Sequence, residues 1–153
     1  MAPEPSTVLF ENAPRALRRG PLRAFAADLS LRVGGKRPFA CVIANDRALR
    51  RLNRDFLGKD YATDVLSFPS GAASGPLGDI AISVDRAAAQ ARQFRHSLAT
   101  ELRILMLHGV LHLRGYDHEL DEGKMRRAEE RWRREFELPV GLISRTSGGG
   151  NAP

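Results

Sequence analysis

Cysteine and tryptophan each occur once in the 153 residues, and histidine four times. The single Cys41 cannot form an internal disulfide, and its apolar neighbours from Phe39 to Ile43 mark it as a reduced core thiol, which implies a reducing, cytoplasmic setting. No apolar run approaches the roughly 18 residues of a membrane-spanning helix, and no basic stretch followed by an apolar one opens the chain. A soluble protein with no membrane association is expected. Internal repeats are absent. The length fits one domain, large enough to bury a core without staples.

Charge is not scarce, but its excess sits in one place. Residues 1–60 carry twelve Lys or Arg against six Asp or Glu, residues 61–100 three against three, and residues 101–153 nine against nine. The net +6 therefore belongs to the first 60 residues. Such a field suits a phosphate-rich partner as well as it suits a plain solvated surface. Arg47, Arg50, Arg51 and Arg54 fall at helical spacing and form a basic stripe. The arginines between Lys124 and Arg134 are offset by Glu129, Glu130 and Glu135, and that helix reads as an exposed, ion-paired surface.

Three of the four histidines fall in one short window, His108 to His118. Residues i and i+4 of a helix share a face, so His108 and His112 can aim both imidazoles at one point. From Ile104 to Leu113 the only other residues are apolar or Gly109, so the two histidines are the only polar side chains of a helix buried on nearly all sides. Buried polar groups need partners, and a shared metal satisfies both. Gly115 can end the helix in a left-handed conformation, after which His118 can swing onto the same ion. Three ligands with a fourth position open describe a catalytic zinc, one Zn2+ ion held by His108, His112 and His118. His96, outside the window, reads as an exposed residue ahead of a helix.

The spacing also matches the metzincin protease pattern H-E-x-x-H-x-x-G-x-x-H at all but one position. Gly109 stands where those proteases carry the glutamate that takes a proton from water, so the peptidase reading loses its specific support.

Hydrophobic periodicity predicts a strand at 7–10, a helix at 21–31, a buried strand at 38–44, and a helix at 47–56 capped by Asp46. A strand at 63–68 stopped by Pro69, a flexible loop at 70–76 and a strand at 77–84 follow. Three helices complete the chain: 86–94 capped by Asp85, one capped by Ser97 and running to about Arg114, and one from Asp121 to about Phe136. The pattern predicts an α+β fold, a small mixed four-stranded sheet covered by about five helices in a single domain at 7–143. Residues 1–6 and 144–153 are expected to be disordered.

The stretch HGVLHLRGYDH at 108–118 is preceded by Leu52-Asn53, by Gly58-Lys59-Asp60, by TDVLSFP at 63–69 and by Leu77-Gly78-Asp79-Ile80. In this order, from about residue 36 to about residue 136, the chain resembles the YbeY family of bacterial endoribonucleases. The resemblance implies a single α+β domain, zinc on the three histidines, and single-strand-specific RNA cleavage. It also implies maturation of ribosomal RNA, particularly the 3′ end of the small-subunit species, ribosome quality control, and contact with the small ribosomal subunit and the GTPase Era.

One departure stands out. Leu57 occupies the place where the family's L-N-x-x-Y/F-R-x-K-D stretch usually has an arginine that helps to hold RNA phosphate. Lys59 keeps its family position and is the candidate phosphate contact, with Arg54 as a substitute guanidinium.

The chemistry expected is metal-assisted phosphodiester hydrolysis, in which zinc acidifies water and polarises a phosphoryl oxygen while Lys59 and nearby arginines neutralise the phosphate. Attack by the RNA's own 2′-hydroxyl is the alternative route. No general base can be named, so no catalytic residue is assigned beyond the metal site. Asp117 and Glu119 can cap a turn, orient an imidazole or face water. Asp64, Ser67 and Asp79 can line a cleft or merely hold turns. Two rival functions stay open: a metallopeptidase-like hydrolase, and a ribosome-assembly factor with structural zinc and weak nuclease activity.

Overall fold

The computed structural model describes residues 5–117, 121–139 and 145. Among these, four strands and five helices follow in the order β1 (Thr7–Phe10), α1 (Arg19–Arg32), β2 (Phe39–Ala44), α2 (Asp46–Leu57), β3 (Val65–Pro69), β4 (Gly78–Ser83), α3 (Val84–Gln93), α4 (Leu98–Leu113) and α5 (Lys124–Glu135). The sheet order is β1-β2-β4-β3. β1 and β4 run parallel to β2, and β3 pairs antiparallel with β4, so the sheet is mixed, as the sequence predicts.

Alternation along the strands separates two layers. Phe39, Cys41 and Ile43 of β2 and Ile80 and Ile82 of β4 point into the main core, built with α1 and α4. The opposite face, through Ala44, Leu66 and Ala81, packs on Leu49 of α2. α4 is the post of the main core. Leu102, Leu105, Met106, Leu107 and Leu111 are all essentially inaccessible, and each such side chain contributes about 1.5–3 kcal/mol on burial.

The helix boundaries match expectation more closely than their caps do. Asn45, not Asp46, caps α2 by accepting from the Ala48 amide at 2.9 Å, and Ser83, not Asp85, caps α3 by accepting from the Arg86 amide at 3.2 Å. The two aspartates instead cross-link the helix starts. Asp46 accepts from the Ser83 hydroxyl at 2.6 Å, and Asp85 accepts from the Asp46 amide at 2.8 Å. Each carboxylate thus sits at a positive helix end. Ser97 caps α4 as expected, accepting from the Thr100 amide at 3.1 Å.

Pro69 does not stop β3 but ends it as a paired residue opposite Gly78. β3 is an edge strand, where a missing N–H costs no ladder bond. The loop after it, expected to be flexible, is gathered by Arg37, which donates to the carbonyls of Gly75 and Ala72, both at 2.8 Å, and to those of Pro76 and Ser74 at 3.2 and 3.4 Å.

Within the expected tails, Ser6 accepts from the Phe39 amide at 3.1 Å and Arg145 donates twice to Glu101 at 2.9 Å. Residues 1–4 and 146–153 lie outside the described residues. No helix among the described residues is long and apolar enough to cross a membrane.

Candidate metal centre

His108 and His112 occupy the last two turns of α4. Their Nε2 atoms stand 3.2 Å apart, with the rings edge to face at a centroid separation of 4.8 Å. Each Nδ1 has an acceptor of its own. His108 Nδ1 donates to the Glu129 carboxylate at 2.8 Å, and His112 Nδ1 donates to the Tyr116 carbonyl at 3.1 Å. With Nδ1 donating, a neutral imidazole presents a lone pair at Nε2. The two Nε2 atoms thus face one another at a distance that a shared proton or a bound cation would satisfy.

The helix end is built as the glycine predicts. Gly115 has φ +97°, its amide donates to the His112 carbonyl at 2.9 Å, and the Tyr116 amide donates to the Leu111 carbonyl at 3.2 Å. These two bonds are a Schellman motif, which turns the chain back over the end of α4. The same turn presents the Tyr116 carbonyl to His112.

His118, the expected third ligand, and Glu119 lie outside the described residues. The described residues on either side of them meet. Asp121 donates its amide to the Asp117 carbonyl at 3.0 Å, and its carboxylate accepts from the amides of Asp117 at 3.3 Å and Met125 at 2.9 Å. Asp121 therefore caps α5 from outside its first turn, near its expected role.

Glu129 is the residue of this cluster that sequence reasoning missed. The helix that carries it was expected to be a solvated, ion-paired face, yet Glu129 is only 1% exposed and Met125 beside it is fully buried. The signal was present in the spacing: Met125, Ala128, Trp132 and Phe136 form the apolar stripe of α5 facing the core, and Glu129 falls within it. An acid on a buried stripe needs a partner, and His108, itself 5% exposed, is that partner. A carboxylate behind a ligand imidazole fixes its tautomer and orientation.

Gly109 has a packing reason. A Cβ there would meet the Ile80 side chain at 2.9 to 3.2 Å, so any larger residue would force Ile80 or the helix to shift. The metzincin glutamate would crowd Ile80 at this position. Ser67 reaches across from β3 to donate to the Gly109 carbonyl at 3.3 Å, which places it against the histidine-bearing turn. Asp64 holds structure instead: it accepts from the Val65 amide at 2.8 Å and from Gln90 at 3.2 Å. Asp79 is exposed on the opposite sheet face, across from Phe68.

Arg54 and Lys59 are not brought to the histidines by any contact among the described residues. Both are exposed at the C-terminal end of α2, which packs on the sheet face away from α4, and Arg54 is engaged by Asp55 at 3.1 Å. Arg50, in the same stripe, pairs with Asp60 at 2.8 Å. Leu57 is half exposed at the end of α2.

His96 corrects its expected exposure. Its Nε2 meets the Glu101 carboxylate at 2.6 Å, Glu101 is fully buried, and Arg145 closes the cluster from the other side while lying 4.2 Å over the Phe94 ring. The last turn before α4 thus supplies a structural histidine.

With the geometry in place, comparison with known proteins is decisive. Residues 22–137 match the family model described as endoribonuclease YbeY. The chain belongs to that family. It is 57% identical over 145 residues to the endoribonuclease YbeY of Solibacter usitatus, spanning 94% of this chain and 97% of that protein. It is 53% identical over 106 residues to the Koribacter versatilis YbeY, covering 69% of each chain. The Helicobacter pylori (strain ATCC 700392 / 26695) protein of that name is 47% identical over 106 residues, 69% of this chain and 76% of that one. The solution structure of a Thermotoga maritima protein shares the fold with a TM-score of 0.57 at 22% identity, over 94% of this chain and 99% of that one.

Proposed function

We propose that this YbeY-family protein is a zinc-dependent endoribonuclease that cleaves single-stranded RNA during ribosomal RNA maturation, with His108, His112 and His118 as the metal ligands. The observation that supports the metal is the 3.2 Å between the two Nε2 atoms. Two nitrogens bound at about 2.0–2.1 Å in a tetrahedral zinc shell stand about 3.3–3.4 Å apart. The pair stands close to that separation, and its Nδ1 atoms are held by a carboxylate and a carbonyl as ligand histidines usually are.

His108 is buried, but His112 is partly open to solvent, which suits a site that substrate must reach. The ion, when bound, supplies Lewis acidity to a phosphoryl oxygen and a source of hydroxide near neutral pH. The protein's own groups do the rest: Glu129 and the Tyr116 carbonyl lock the rings, and Ser67 braces the turn between them. Lys59 and Arg54 approach RNA phosphate from the end of α2, where Leu57 leaves the family's usual guanidinium missing.

Action at the 3′ end of small-subunit ribosomal RNA, ribosome quality control, and contact with the small subunit and with the GTPase Era belong to the same proposal and rest on family membership, while a cytoplasmic location rests on the lone buried thiol of Cys41. The peptidase alternative is disfavoured because Gly109 supplies no acid or base group where those enzymes carry their glutamate.

The test is cleavage of single-stranded RNA with and without chelator by the wild type and by His112→Ala. Chelation and His112→Ala should each lower the rate by more than the roughly 10–100-fold typical of losing an outer partner, with melting still cooperative. Undiminished cleavage under both conditions would refute a metal-centred nuclease. A 2′,3′-cyclic product end would assign attack to the 2′-hydroxyl, and a 5′-phosphate with a 3′-hydroxyl would assign it to water.

A further inference from the structure

The sheet face opposite the histidines carries a groove of about 270 Å3, lined by Val42 and Ala81 from the strands, Leu52 and Phe56 from α2, and Phe68 and Asp79 as a cross-strand pair. Phe56 is 69% exposed, although it stands edge to face with Phe68 at 5.9 Å. We propose that this groove receives one nucleobase of the RNA substrate, stacked on Phe56 and read by Asp79; the inference rests on the nuclease reading above.

Three observations select this occupant. An exposed flat ring beside an apolar groove fits the π-face that every base offers. The helix that supplies Phe56 also presents Arg47 and Arg51, both exposed although neither lines the groove, and lies within the 60 residues that hold the whole positive excess of the chain, so this helix attracts a polyanion. Asp79, the acid of the groove, repels phosphate but accepts hydrogen bonds from an exocyclic amino group, as carboxylates do from cytosine. A base bearing an amino donor is therefore preferred over uracil.

The groove is also correctly connected. Phe68 on this face follows Ser67, whose hydroxyl on the other face touches the Gly109 carbonyl between the two histidines. β3 is an edge strand, so a single RNA strand can pass around it with one base in the groove and a phosphate toward α4.

The experiment measures binding of the full chain to short single-stranded RNAs by fluorescence anisotropy in chelator, alongside metal-loaded cleavage. Phe56→Ala should weaken binding about tenfold, and Phe56→Tyr should bind as the wild type does. Changing a cytosine-only RNA to a uracil-only RNA should cost the wild type about five- to tenfold, and Asp79→Asn should abolish that difference. Equal binding by wild type and Phe56→Ala overturns the subsite, as does a Phe56→Ala effect on self-association or on protein capture without one on RNA. If His112→Ala loses cleavage while Phe56→Ala binds normally, only the subsite fails. If Phe56→Ala loses binding while His112→Ala still cleaves, the subsite stands and the metal-centred reading fails.

Discussion

The Nδ1 of His108 and the carboxylate of Glu129, 21 residues apart on α4 and α5, meet at 2.8 Å with both side chains buried. This contact makes α5 part of the site rather than an outlying cover. Glu129→Ala should weaken zinc affinity roughly 10–100-fold and reduce RNA cleavage in parallel, while Glu129→Gln, which keeps an acceptor without the charge, should fall between it and the wild type. Zinc competition against a chromogenic chelator gives the ordering, and equal affinities for all three proteins would refute the orienting role.

Gly109→Ala should destabilise the protein by about 1–3 kcal/mol, because the new methyl is driven into Ile80. Ile80→Val in the same chain should recover part of the loss, since neighbours in direct contact are not additive. Chemical denaturation of the two single variants and the double variant checks this. Strict additivity would show that the helix shifts away instead.

Arg37→Ala should release the loop at 72–76 from its four carbonyl contacts without melting the domain. Faster amide exchange confined to that loop, with a loss of global stability near 1 kcal/mol, is the expected result. Unchanged exchange there would mean the backbone holds itself.

Burial pushes the Cys41 thiol up to about 12. An unfolded thiol ionises near 8.5, so this group favours the native state most below that pH, and its contribution declines as pH rises from about 8.5 to about 12. Native protein at pH 8 should resist a thiol reagent until denaturant is added. Rapid labelling of the folded protein would contradict that burial.

Most of the fold was legible because its elements are short and well separated in pattern. Strand 7–10 agrees with β1 to the residue, and the buried runs of β2 and β4 are shifted by only a residue at either end. The caps of α2 and α3 were misassigned by one or two residues, since Asn45 and Asp46, or Ser83 and Asp85, are equally good acceptors and only tertiary pairing of the two helix starts decides between them. The histidine pair was readable from i, i+4 spacing and the glycine that follows. Glu129 was not, because an acid among many arginines resembles surface charge until the apolar stripe of its helix is traced. The reason for Gly109 lay in Ile80, 29 residues away and invisible to any local pattern.

Because α4 is both the carrier of the histidine pair and the most deeply enclosed segment of the main core, no small excursion of the chain can separate the two rings. They part company only when the interior itself comes undone. Heat inactivation of the protein should therefore follow its overall melting curve, with no earlier step in which catalysis dies while the body of the molecule survives.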